Sequence, residues 1–363
     1  LAGAFATVAK ATGGVDATVA LGLSLIPGWC LLPGLFLISA FIATAMGTSM
    51  GTIGAVAPVA LGVAQAAGID PMLMAGTILS GAMFGDNLSI ISDTTIAATR
   101  SQGCEMKDKF RENIKIAAPA AVLVILLYLV LGSTGEAPAP TAEADLLKVA
   151  PYLLILVLAL SGMNVFMVLG LGILAAGGVG LLGSYSLGQF SKDIYQGFTS
   201  MQEIFLLSML IGGLGALMER QGGLAWISER IAALIARFTR HHDGEQNEKA
   251  AELGIAGVVS LTNLCTANNT VAIIVASKVA RDLADHHGVT PRRAASMLDI
   301  FSCVVQGLIP WGAQALLLGS IFALSPILVV SMSFYPMALA LAAIVAVFLK
   351  HQMGAVAPAP HRS

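Results

Sequence analysis

The sequence predicts an all-α polytopic membrane protein built as two inverted repeats, with re-entrant hairpins and broken transmembrane helices. Three observations lead there. Of 363 residues 56% are hydrophobic and only 11% charged, against about 25% charged in a soluble globular chain, and mean hydropathy is +0.84. Apolar stretches of about 20 residues recur, several broken by Gly, Pro, Asn or Asp. Two carboxylates, Asp86 and Asp93, sit inside such a stretch. A carboxylate in lipid is costly unless it meets a cation, a proton or hydrogen-bond donors, so it marks an ion or proton pathway. This composition excludes a large soluble enzyme, and basic residues confined to a few segments exclude a nucleic-acid partner. The cysteines, Cys30, Cys104, Cys265 and Cys303, lack metal-ligand spacing and read as small apolar residues.

In chain order, residues 21–46, 50–66 and 71–85 are apolar, and 87–99 continue after Asp86. Segment 100–115 carries Arg100, Lys107, Lys109, Arg111 and Lys115, and a clean span follows at 116–132. Loop 133–148 holds Glu136, Glu143 and Asp145 but only Lys148 as a base. The positive-inside rule places 100–115 in the cytoplasm and 133–148 outside. Residues 149–183 form two short spans that turn at Ser161-Gly162-Met163-Asn164, with Asn164 capping the second. A polar loop, 184–200, is then outside, and span 201–218 returns the chain to a basic cytoplasmic part. There Trp226, Ile227, Ile231, Leu234, Ile235 and Phe238 share one helical face and predict an interfacial amphipathic helix.

The second half repeats the first at an offset of 220 residues. Gly68-Ile69-Asp70-Pro71 matches Gly288-Val289-Thr290-Pro291, Thr48 and Ser49 align with Asn268 and Asn269, and Asp86 aligns with Gln306. Loop 281–293 holds three arginines whereas its counterpart 67–71 has no base, so the copies run inverted. Residues 31–66 and 250–285 are then hairpins turning at 47–49 and 266–270. Each is followed by a crossing with a break: 72–99 near Gly85-Asp86-Asn87, and 292–320 near Gly307 to Gly312. A last span covers 327–349. The domain reading is a first repeat at 1–132, a connecting segment at 133–200, a second repeat at 201–349 and a tail at 350–363. Projected back by the offset, span 201–218 falls before residue 1, so the first copy's opening helix is expected outside this sequence.

Helix breaks expose carbonyls and N–H groups that protein, water or an ion must satisfy. The tips supply neutral oxygens from Thr48, Ser49, Asn268, Asn269 and Thr270, and Asp86 adds formal charge beside Asn87. Hard cations such as sodium take oxygen ligands. A sodium site is therefore expected at Asp86, Asn87, Asn268 and Asn269, with competition between sodium and a proton for the carboxylate. Asp93, two turns on, either takes part or caps the half-helix after the break. Asp299 has no base at i+3 or i+4 and is the preferred second acid of a coupled pair with Asp86. Gln306 and Gln314 either offer amides to a solute or fasten the second break. Lys278 is expected to snorkel to the cytoplasmic edge, and Glu203 and Glu252 to sit at interfaces.

The run Gly85-Asp86-Asn87-Leu88-Ser89, then Ser92-Asp93-Thr94-Thr95 and Phe110-Arg111-Glu112-Asn113, resembles the signature of the NhaC-type sodium/proton antiporter family. Ala267-Asn268-Asn269-Thr270 and the stretch from Gln306 to Gln314 are similar to that family's as well, and the resemblance covers about residues 20 to 325. It implies a secondary transporter of the bacterial inner membrane that exchanges sodium for protons, not an enzyme. It implies no resident cofactor, with sodium as the transported or coupling ion. Ile90 stands where the family usually has Pro. Relatives of the same architecture move organic acids or amino acids, which keeps a sodium- or proton-coupled solute transporter as the alternative. The partners are membrane lipid, sodium and protons, with room for a small organic solute and for a homodimer. A channel is less well matched than alternating access around a site between two hairpins.

Overall fold

The structure is a computed structural model and describes residues 1–90, 92–132, 145–161, 163–223, 226, 229, 230, 233 and 245–353. Among them the regular structure is all helical. The first part contains α1 (Ala2–Ala11), α2 (Gly14–Leu25), α3 (Leu31–Met46), α4 (Ser49–Ala67), α5 (Pro71–Leu88), α6 (Asp93–Gln102) and α7 (Met106–Leu131). Next come α8 (Leu146–Leu160), α9 (Val165–Leu181), α10 (Leu187–Ser200) and α11 (Gln202–Arg220). The last part holds α12 (Glu245–Thr266), α13 (Asn269–His287), α14 (Pro291–Gln306), α15 (Ala313–Phe322), α16 (Pro326–Ser331) and α17 (Phe334–Met353). The interfacial helix expected around Trp226 to Phe238 and most of loop 133–148 lie outside the described residues.

Among the described residues, three helices are long and apolar enough to cross a membrane: Gly28–Met46, Ser49–Ala67 and Met106–Leu131. The surface is apolar where a soluble protein's would be polar, with Val122, Leu126, Val130, Phe166, Leu174, Leu210, Leu341 and Phe348 exposed. The interior conversely encloses Asp86, Lys109, Glu252, Arg293 and Asp299. Lipid outside and paired polar groups inside account for both.

Helix bounds recur at a constant offset. α3 ends at Met46 and α12 at Thr266; α4 spans Ser49–Ala67 and α13 Asn269–His287. α5 and α14 start at Pro71 and Pro291, α6 and α15 span Asp93–Gln102 and Ala313–Phe322, and α7 and α16 start at Met106 and Pro326. Each pair is 220 residues apart. Local chemistry repeats with it. The Thr48 hydroxyl accepts from the Gly51 N–H and the Asn268 side chain from the Val271 N–H, so both tips end in an N-cap. Gly47 and Ala267 both take positive φ at the turn, 67° and 49°.

Several boundaries differ from those expected. Gly85-Asp86-Asn87 lies within α5, and the first broken crossing opens only between Leu88 and Asp93. Gly85 serves close approach rather than breakage: a Cβ there would overlap the Ala40 carbonyl of α3. Residues 21–46 are not one span, because Pro27, which has no N–H, and a 3₁₀ turn at Gly28–Cys30 part α2 from α3. The expected polar loop 184–200 is mostly α10, capped by Ser186, with Gly197 packed on Gly3 and Ala4 of α1. Segment 100–115 is the end of α6 and the start of α7, and the last span divides at Met332–Ser333 into α16 and α17. Asn164 does cap α9, accepting from the Phe166 N–H at 2.9 Å.

Candidate ion-binding site

Asp86 occupies the last turn of α5, and Ser49 opens α4 beside it. The Ser49 hydroxyl donates to Asp86 Oδ2 at 2.9 Å, and Asn269 lines the same cavity as this carboxylate. Gln314 Nε2 donates to Ser49 Oγ at 3.0 Å, and Gln306 Nε2 donates to Gln314 Oε1 at 2.7 Å and to the Ala267 carbonyl at 3.1 Å. A polar chain thus runs from Asp86 to the tip between α12 and α13. Gln306 and Gln314 fasten the second break to that tip.

These groups surround a cavity of about 200 Å³. Thr48, Ser49, Asn268, Asn269 and Thr270 line it from the tips, Asp86 and Gln306 from the ends of α5 and α14, and Asp93, Thr94 and Gln314 from the starts of α6 and α15. Among the described residues, no Lys, Arg or His lines it. Helix starts present N–H groups and partial positive charge, which suit an anion, and helix ends present carbonyls, which suit a cation. Asp93 is exposed at the rim. The cap of α6 is Ser92, whose Oγ accepts from the Thr95 N–H, so Asp93 is not the capping residue.

Asn87 and Asp299 do not line this cavity. Asp299, fully buried, forms an ion pair with Lys109 at 2.8 Å, and its Oδ2 also accepts from Asn87 Nδ2 at 2.9 Å and Asn113 Nδ2 at 2.8 Å. The lysine further donates to the Asn87 carbonyl at 2.8 Å and to Thr95 Oγ1 at 2.7 Å, using all three of its donors. Asp299 is preferred from sequence as the titrating partner of Asp86 because it has no local capping role, and no base stands at i+3 or i+4. The base comes instead from α7, far away in sequence. Lys109 also satisfies a carbonyl that the break after Leu88 leaves without a helical partner.

Sequence reasoning missed Lys109 and Asn113 because both were counted as a cytoplasmic loop. A signal was present: Lys109, Asn113, Ile116, Ala117, Ala120 and Val124 recur at helical spacing and form the buried face of α7. Glu252 is likewise not interfacial, being fully buried and held by Arg293 through bonds of 2.9 and 2.8 Å. Lys278 is exposed, compatible with a snorkelling side chain.

Buried ion pairs, helix ends meeting at a small acidic cavity and an apolar exterior define a class: polytopic membrane transporters. Within it, the chain belongs to the Na+/H+ antiporter family, whose model matches residues 1–133 and 144–350. It is similar to an Na(+)/H(+) antiporter NhaC of Bacillus subtilis, 26% identical over 85% of this chain and 74% of that protein. Equally similar is the arginine/ornithine antiporter ArcD of Halobacterium salinarum, 26% identical over 86% and 73%. The malate-2H(+)/Na(+)-lactate antiporter of Bacillus subtilis is 23% identical over 87% and 72%. The protein is thus a secondary-active antiporter and a multi-pass membrane protein, not an enzyme.

Proposed function

We propose that the protein exchanges sodium for protons, with Asp86 as the acid both ions share. The observation that carries this is the cavity's lining: Asp86 and Asp93 among hydroxyls and amides, with no basic side chain among the described residues. Sodium is bound by Asp86 with Ser49 and Asn269. The side-chain oxygens of Thr48 and Asn268 serve as caps, so these residues shape the tips. With Asp299 held by Lys109, Asp93 at the rim is the second acid. Proton binding to Asp86 removes the charge that holds sodium, and sodium entry displaces the proton. All these residues come from one chain, so the site needs no second copy.

The second reading is a coupled carrier of an organic solute, supported by the likeness to arginine/ornithine and malate/lactate antiporters. The acidic lining favours a cationic amino acid over an organic anion, which would face two carboxylates. About 200 Å³ is also small beside the roughly 300–1,000 Å³ of organic-ligand pockets.

Two inverted halves, 1–132 and 201–349 around the connecting segment 133–200, with hairpins 31–66 and 250–285 entering from opposite faces, best account for the register. The shared offset and the meeting of both tips at one cavity support it. Glu112 lies 3.7 Å from Arg292, so segments 100–115 and 281–293 share one end of the fold, as both being cytoplasmic requires. Labelling cysteines placed at hairpin ends tests it. Both ends of 250–285 should react from the cytoplasm, and reaction from opposite sides overturns the inversion.

The ion test uses the purified full chain and proteoliposomes. Sodium affinity should rise with pH by up to about tenfold per unit where Asp86 takes up its proton. Asp86→Asn, folded, should lose about 10- to 100-fold in sodium affinity, the worth of one charged ligand, together with the pH dependence. A pH-independent affinity, or sodium flux that requires added arginine or ornithine, transfers the assignment to the solute carrier.

A further inference from the structure

A second cavity, about 650 Å³, lies between α7 and α17 at the apolar exterior. We propose that it is a binding site for one anionic phospholipid, with an acyl chain in the groove and the phosphate on Lys115 and Arg292.

Small residues make the groove. Ala338, Ala342 and Ala346 recur every four residues along one face of α17, opposite Pro119 and Ala120 of α7. Large apolar side chains flank it, Leu123 and Leu341 being 55% and 60% exposed. Such a slot, apolar along its length and open sideways, suits a hydrocarbon chain better than a water-soluble ligand. Its volume lies in the usual range for sites of lipid- or drug-sized ligands, roughly 300–1,000 Å³.

Charge is confined to one end. Glu112 Oε1 lies 3.3 Å from Lys115 Nζ and 3.7 Å from Arg292 Nε, so a single carboxylate is shared by two cations. Both cations remain mostly exposed, at 68% and 58%. The neighbouring Arg293 is already spent on Glu252. One net positive charge therefore stands at the mouth of an apolar slot, complementary to a phosphodiester carrying one negative charge. The polar end falls on the side that carries both basic segments, where a lipid headgroup would lie. This inference is independent of which ion or solute the transporter carries.

The test uses the lipid-stripped full chain in detergent. Retention by native mass spectrometry and thermal unfolding are followed on adding phosphatidylglycerol, phosphatidylcholine with the same chains, or inorganic phosphate. Phosphatidylglycerol should be retained at least fivefold better than phosphatidylcholine and should raise the unfolding midpoint, and phosphate should do neither. Lys115→Gln and Arg292→Gln should each reduce the preference by about fivefold, a typical contribution of one basic residue near an anionic headgroup. Ala342→Leu, filling the slot, should weaken both lipids alike. Each single variant is read separately, so a misfolded one leaves the others decisive. Equal retention of the two lipids, or an undiminished preference in both charge variants, overturns the proposal. A shift produced by phosphate alone shows a soluble-anion site, and a dimer that excludes lipid shows that a second copy covers the groove; either also overturns it.

Discussion

Removing the ammonium of Lys109 tests how the interior is held together. In Lys109→Met the side chain keeps its length and loses three hydrogen bonds: to Asp299 at 2.8 Å, the Asn87 carbonyl at 2.8 Å and Thr95 Oγ1 at 2.7 Å. Asp299 is left as a carboxylate at 0% exposure, facing only two neutral amides. Breaking a buried pair from one side costs about 3–5 kcal/mol, because the surviving charge is uncompensated. Asp299→Asn should cost a similar amount by stranding the ammonium. The double variant Lys109→Met/Asp299→Asn strands neither charge. Its cost should fall near that of one single variant, giving a coupling of about 3 kcal/mol, at the upper end of measured pairs. Reversible unfolding in mixed micelles, with SDS as the denaturant, measures all four corners of the cycle. Costs that add within about 0.5 kcal/mol would refute the reasoning. The double variant also removes one positive and one negative charge together and leaves the cavity lining intact. Its sodium affinity should therefore stay within a few-fold of the parent.

Two further perturbations follow from the packing. Arg293→Lys keeps the charge but replaces a two-bond fork to Glu252 with a single ammonium, and should lower stability by about 1.5–3 kcal/mol in the same unfolding assay. Gly85→Ala places a Cβ against the Ala40 carbonyl, so α3 and α5 must part. It should cost about 1–3 kcal/mol and weaken sodium binding through the adjacent Asp86; an alanine variant as stable and as sodium-competent as the parent would show that the two helices do not approach so closely.

The features legible in the sequence were those set by local chemistry. The tips at 47–49 and 266–270 carry a residue at positive φ followed by a capping side chain, and the break at 307–312 is marked by Gly, Pro and Gly in six residues. Pairing across the molecule was not legible. Gly85-Asp86-Asn87 has the composition of a break, yet tertiary contact with α3 holds it helical and moves the opening to the serines beyond. Nine of the side chains singled out from sequence line one cavity, because they lie at helix ends and the ends converge. Asp299 was misplaced for the opposite reason: its partner is set by packing rather than by spacing. Counting Lys109 and Arg293 toward loop charge hid two buried ion pairs, although the stripe on α7 placed Lys109 on the inward face.

The Lys109 cluster also sets an order of assembly. Asp299 is 186 residues from Asn113 and 212 from Asn87 along the chain. At synthesis rates of about 5–20 residues per second, roughly ten to forty seconds separate the emergence of the donors from that of their acceptor. Through that interval Lys109, Asn87 and Asn113 have no carboxylate from the second half to meet. Glu252 and Arg293 are 41 residues apart and meet within the second half as it emerges. Completion of the Lys109 cluster thus waits on the second half, and a chain truncated before residue 299 leaves Lys109 without this carboxylate.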